Sequence, residues 1–251
     1  MSLNTSHTPD GRGVLIYNGE MILLYTSDVK VKFENFSDPI FKGGKSGALY
    51  LTSHRIIFMN SKNEAVKSFA MPFHSLRNVK LEQPLLGANY LKGEVEALPG
   101  GNFEGIIEWR LSFPKGGCID FGQALLRAAD MASKARPFAA PPSYAPAPQS
   151  YYSAPPNYYI SGGNYNGFQA PTHAFPEQPP AGNVFMYESP PPYPGIAGQT
   201  APFPAGGLQF AGGLPNQHPS APRYENVPHL PPAQPPSYTP YAEAPPLPEK
   251  H

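Results

Sequence analysis

The alternation of apolar and polar side chains is clearest between residues 107 and 113. There Ile107, Trp109, Leu111 and Phe113 interleave with Glu108, Arg110 and Ser112, the period of two that sets one face of a strand on a core and the other toward water. Leu49 to Leu51 and Ile56 to Phe58 flank Thr52-Ser53-His54 and predict two strands joined by a short turn. Further strands are expected near residues 29–33, 68–71, 79–81 and 90–97. Gly43-Gly44, Lys62-Asn63, Pro99-Gly100-Gly101 and Lys115-Gly116-Gly117 supply the breaks between strands.

After Ile119 the period changes. Phe121, Leu125, Ala128 and Ala132 recur at helical spacing, which predicts one amphipathic helix over residues 121–135. Asp120 suits its N-cap, and Gln123 stands where a capping box places Gln or Glu. Pro137 ends it, because the residue before a proline is pushed away from helical angles. About seven strands followed by one helix predict a mainly β antiparallel barrel with one end plugged by that helix.

Composition divides the chain at the same point. Of 35 prolines, six lie in residues 1–136 and 29 in residues 137–251. The first segment carries 16 Lys+Arg against 13 Asp+Glu, and the second carries two against five. Neither is basic enough to attract nucleic acid, and no direct nucleic-acid partner is expected. Residues 1–136 suffice for one core. The expected division is a folded domain at 1–136 and a disordered Pro/Tyr/Gly-rich tail at 137–251, because so proline-rich a stretch forms few ladders and buries little. The first residues are polar, without the apolar stretch of a signal peptide, and the single cysteine, Cys118, makes a reducing compartment the simplest expectation.

Three runs in the first segment carry a family resemblance. Leu51-Thr-Ser-His-Arg-Ile-Ile-Phe58, Met71-Pro-Phe73 and Gln83-Pro-Leu-Leu-Gly-Ala-Asn-Tyr-Leu-Lys-Gly93 resemble the GRAM domain of the WW-domain-binding protein 2 family, and Asp120-Phe-Gly-Gln-Ala-Leu-Leu-Arg-Ala-Ala129 resembles its closing helix. The resemblance spans roughly residues 1–135, and the tail matches in kind rather than in alignable detail. It implies a pleckstrin-homology-like fold, a seven-stranded barrel capped by one C-terminal helix.

The tail holds four Pro-Pro-x-Tyr motifs, anchored by Pro141, Pro142 and Tyr144; Pro155, Pro156 and Tyr158; Pro190, Pro191 and Tyr193; and Pro235, Pro236 and Tyr238. Its 29 Pro and 11 Tyr among 115 residues would produce roughly 0.7 such motifs by chance. Consecutive prolines favour a polyproline II helix of three residues per turn, so the prolines form a ridge for an aromatic groove while the tyrosine reaches a second pocket. Each short motif binds weakly by itself. The tyrosines are separated by 14, 35 and 45 residues, flexible spans of roughly 20–37 Å that tandem WW domains can bridge for avidity. Phosphorylation of a motif tyrosine is expected to abolish binding, since the apolar pocket cannot solvate the added charge. Pro245-Pro246-Leu247-Pro248 is a candidate auxiliary proline ligand for another class of WW domain, and the lack of a nearby basic cluster makes an SH3 ligand the weaker alternative.

Catalytic chemistry is not expected, nor is a cofactor. Gly44-Lys45-Ser46 has the end of a phosphate loop, yet Pro39 stands where the first glycine belongs and a strand follows in place of a helix. Cys118 and seven scattered histidines show no metal spacing. Lys42, Lys45, His54 and Arg55 cluster around one expected strand pair, a candidate surface for anionic lipid. The family resemblance implies a non-enzymatic adaptor of the transcriptional co-activator type. Its expected partners are WW-containing ubiquitin ligases and transcriptional co-regulators, in cytoplasm and nucleus. Two alternatives stand beside it: a membrane-linked scaffold whose GRAM domain binds phosphoinositide, and a relative of the sperm perinuclear-sheath branch associated with egg activation. That branch carries a Tyr-Gly-Ala-Pro-Pro repeat tail absent here.

Overall fold

The computed structural model describes residues 1–35, 37–62, 64–134 and 150–196. Its strands are β1 (Ser2–Leu3), β2 (Val14–Tyr17), β3 (Ile22–Glu34), β4 (Lys45–Thr52), β5 (Arg55–Asn60), β6 (Ser68–Pro72), β7 (Leu76–Glu82), β8 (Tyr90–Glu96) and β9 (Ile106–Ser112). Helix α1 (Cys118–Lys134) follows, and then β10 (Tyr151–Ser153), β11 (Asn164–Tyr165), β12 (Phe168–Gln169) and β13 (Val184–Tyr187). The main sheet is antiparallel, in the order β1-β6-β5-β4-β3-β9-β8-β7. Its β1 edge reaches the loop after β8, where Leu3 N donates to Gly101 O at 2.7 Å and Leu98 N donates to Met1 O at 2.9 Å. The sheet therefore curls shut through that loop, without pairing between β1 and β7.

All seven strands expected from the sequence occur in this sheet as β3 to β9. β3 is much longer than residues 29–33, because a register shift between Thr26 and Val29 lets it bend and pair with β4 along most of its length. The alternation in β9 is realised as read: Ile107, Trp109 and Leu111 are buried, while Glu108, Arg110 and Ser112 are partly exposed. Gly93 pairs with Trp109, and a Cβ at Gly93 would lie 2.7 Å from the indole. Glycine there lets the largest side chain of the core lie flat across β8.

Helix α1 buries the face its spacing predicts, with Phe121, Leu125, Ala128 and Ala132 all inside. Full burial of Phe121 and Leu125 contributes about 2–3 kcal/mol each. The helix begins at Cys118, so Asp120 lies in its first turn and not at the cap. Gly117 takes that place, accepting from Phe121 N at 2.9 Å, and its φ of +82° suits glycine.

The boundary at 136/137 does not coincide with the edge of the packed unit. Residues 150–196, expected to lie in an unstructured tail, return to the domain. β13 pairs in parallel with β2, and β10 pairs with β13, making a second, three-stranded sheet. It packs on the outer face of β4, β5 and β6 through Val14, Ile16, Val184 and Met186 against Tyr50, Ile57, Met59 and Ala70. This is why the run Ile56-Ile57-Phe58-Met59 carries no alternation: Ile56 and Phe58 enter the main core while Ile57 and Met59 enter the second. Phe168, Phe175 and Ile196 complete the main core, with the Phe175 ring 6.0 Å from that of Phe121. The segment thus supplies apolar residues at a few positions, which its proline content hides.

Candidate peptide-binding site

The turn Thr52-Ser53-His54 and the start of β5 organise a polar centre between the two cores. Arg55, 2% exposed, and Glu20, fully buried, form a two-pronged ion pair at 2.9 Å for both contacts. Arg55 also donates to Ser6 Oγ and to Leu15 O, each at 3.1 Å. Thr52 Oγ1 donates to Glu20 Oε1 at 2.6 Å, and Tyr17 N donates to Glu20 Oε2 at 2.8 Å. Every charge taken from water is therefore met by hydrogen bonds as well as by its counter-ion, the condition under which such burial is tolerated. Burial pushes the Glu20 carboxyl up, but Arg55 and these donors outweigh it and hold the carboxyl below its usual range. The Arg55 guanidinium lies 4.6 Å from the centre of the Tyr17 ring, over its face.

Into this centre comes Tyr193, the tyrosine of the third motif. Its ring lies 6.1 Å from Tyr17, edge to face, 5.4 Å from His74 and 6.4 Å from His54. Burial raises the Tyr193 phenol well above its ordinary value, with Glu20 and Tyr17 adding to the shift and the Arg55 guanidinium opposing it. The residues on either side are pinned. Asn18 N donates to Ser189 O at 3.0 Å, Tyr187 Oη donates to Thr5 O at 3.1 Å, and Ile196 N donates to Ser53 O at 2.8 Å. Gly195 lies directly on the His54 imidazole, where a Cβ would fall 2.3 Å from the ring.

The structure separates the other predicted site residues. The second motif is described: Pro156–Tyr158 forms a 3-10 turn in which Tyr158 N donates to Pro155 O at 3.1 Å, and Tyr158 packs partly buried on the outer core. Pro155 and Pro156 stay exposed. The motifs at 141–144 and 235–238, and the prolines at 245–248, lie outside the described residues.

Lys42, Lys45, His54 and Arg55 do not form one basic surface. Lys45 opens β4 and His54 follows its end, so the two lie roughly 25–30 Å apart at about 3.3 Å per residue. Arg55 is sealed against Glu20, Lys45 is buried with its ammonium 3.7 Å from Glu64, and His54 is covered by Gly195. Lys42 alone of the four is exposed. The expected lipid face is corrected accordingly: local sequence crowding placed these cations together, and the length of β4 pulls them apart.

Sequence reasoning missed Tyr17, Glu20 and His74 as neighbours of a motif. The one legible hint was a glutamate, Glu20, set between apolar runs with no local cation partner.

Comparison with known proteins bears on these observations. The GRAM domain model matches residues 23–131. Over 196 residues the chain is 35% identical to WW domain-binding protein 2 of Homo sapiens, a match covering 77% of this chain and 66% of that protein. The chain belongs to the WW domain-binding protein 2 family. Residues 23–131 are accordingly a GRAM domain, mainly β with one closing helix. The chain is also 40% identical over 144 residues to the postacrosomal sheath WW domain-binding protein of Bos taurus, covering 56% of this chain and 46% of that protein. Among solved structures, the Vps36 N-terminal PH domain resembles it with a TM-score of 0.39 at 21% identity, over 52% of this chain and 92% of that one. The chain thus spans about two thirds or less of the length of these relatives. A match over 77% of the chain also exceeds residues 1–135, so the likeness to the family reaches into the proline-rich segment, further than the resemblance read from the sequence.

Proposed function

We propose that the protein is a non-enzymatic adaptor, of the transcriptional co-activator type, that captures WW domains through its Pro-Pro-x-Tyr motifs. The observation that carries this is the set of four motifs, where the tail's composition supplies roughly 0.7 by chance. The names of its relatives, WW domain-binding protein 2 and postacrosomal sheath WW domain-binding protein, point the same way. The partners that fit are WW-containing ubiquitin ligases and transcriptional co-regulators, met in cytoplasm and nucleus. A WW groove takes the proline ridge and the tyrosine ring, and the third position of each motif, Ser143, Asn157, Pro192 or Ser237, points away.

Calorimetric titration of a WW domain with one peptide for each motif tests this. Each peptide is expected to bind, Tyr→Ala to abolish binding, and Tyr→Phe to weaken it by about 1 kcal/mol through loss of one hydrogen bond. Phosphotyrosine should abolish binding as well, because the ring then carries about −1.5 to −2 charge into an apolar pocket. Failure of all four unmodified peptides to bind would overturn the proposal.

A further inference from the structure

The four motifs are not equivalent in this fold. Tyr193 is held by the domain itself, and residues 184–196 contact it by two mechanisms. First, β13 pairs in parallel with β2, Val184 against Val14 through Tyr187 against Tyr17, and antiparallel with β10 on its other side, so β2 is held in a three-stranded sheet with β13 at its centre. Val184 and Met186 point into the outer core. Second, the turn after the motif drops Ile196 into the main core, 3% exposed, with its amide bonded to Ser53 O. Between these anchors Tyr193 fills the space among Tyr17, His54 and His74, beside Arg55.

From these contacts we infer that the GRAM domain carries a receptor site of its own for a Pro-Tyr-Pro-Gly peptide. Its occupant is residues 184–196 of the same chain, and occupancy by this site and by a WW domain is mutually exclusive. The inference rests on the WW reading above. Both receptors need the same tyrosine ring, and a ring among Tyr17, His54 and His74 cannot enter a second aromatic pocket. A WW domain must first draw the segment out, so its apparent affinity for this motif falls by the fraction of chains in which the segment is free. Gly195 is the position that distinguishes the two receptors. It lies outside the four motif residues, yet only hydrogen fits between it and His54.

The test uses the full chain with Tyr144→Ala, Pro156→Ala and Tyr238→Ala, leaving the third motif alone; Pro156 is exposed, so its replacement spares the packing of Tyr158. A WW domain is titrated with this chain and with the synthetic peptide 188–196, each with and without Gly195→Val. The chain is expected to bind at least about tenfold more weakly than the peptide. Gly195→Val should restore the chain toward the peptide's affinity while leaving the peptide unchanged. Equal affinity of chain and peptide would overturn the inference. Amide hydrogen exchange supplies a readout that needs no WW domain. The Val14 and Ile196 amides, bonded to Asn183 O and Ser53 O, should be protected in the parent chain and exchange fast in Gly195→Val or in Ile196→Asp. Fast exchange in the parent chain would remove the receptor site. A protected segment whose free peptide fails to bind WW would overturn the WW reading for this motif, and with it the competition.

Discussion

Glu20 and Arg55 carry opposite charges into a space that water does not reach, and each depends on the other. Glu20→Gln leaves the guanidinium buried without a counter-ion and is expected to cost about 3–5 kcal/mol, read as a lower midpoint in urea unfolding. A shift below about 1 kcal/mol would mean that the pair is far better solvated than its burial implies. His54 next to them makes stability depend on pH. Burial pulls its imidazole down from 6.5 to about 4; Glu20 opposes the shift and Arg55 adds to it. The unfolded chain takes up a proton near 6.5 and the folded chain only near 4, so stability is fully present above 6.5 and is lost as the pH falls toward 4. His7 and His74, also held down by burial, act in the same direction. Unfolding measured at pH 7 and pH 5 should show a drop that shrinks in His54→Gln. An equal drop in both proteins would assign the titration elsewhere.

At the scale of elements, α1 closes the main core with one face and leaves the other to solvent. Leu125→Asp places a charge among Phe121, Ala128 and the β-sheet side chains and is expected to cost several kcal/mol, about 3–5, by thermal or urea unfolding. Leu126→Asp, one residue on but 51% exposed, should change stability by less than about 0.5 kcal/mol. Equal effects at the two positions would show that the buried face is misplaced. The residue that starts the helix is constrained twice. Gly117 has φ +82°, and a Cβ there would stand 2.7 Å from the Phe175 ring. Its conformation is thus tied to a residue of the returning segment.

For the molecule as a whole, the packed unit extends well past the composition break. Ending the chain after residue 136 removes Phe168, Phe175 and Ile196 from the main core and Val184 and Met186 from the outer one. Each such apolar side chain contributes about 1.5–3 kcal/mol when buried. The chain ending at 136 is therefore expected to melt well below the full chain, whereas a chain ending at 197 should melt with it. Coincident melting of all three would show that residues 150–196 add nothing to the fold.

The seven strands β3 to β9 and the buried face of α1 were legible in the sequence because each rests on a local signal: alternation in β9, short apolar runs bounded by turn residues in strands such as β5, and helical spacing in α1. The motifs were legible too, since four residues in a row contain all the chemistry they use. Residues 150–196 were not. Their composition argues against a packed domain, and their order comes from partners such as Val14, paired with Val184 at a separation of 170 residues. The run Ile56-Ile57-Phe58-Met59 held the sign of a second layer, since a strand apolar on both faces must be covered on both, but nothing local says by what. Arg55 belonged to an apparent basic cluster until the fold placed Glu20, 35 residues away, against it. Short-range apolar patterning, and the turn residues between the runs, decided which residues form strands and helix. Which surface each then meets, and that Tyr193 is already occupied, was decided by long-range burial, where apolar area and an unpaired charge find partners that no window of sequence contains.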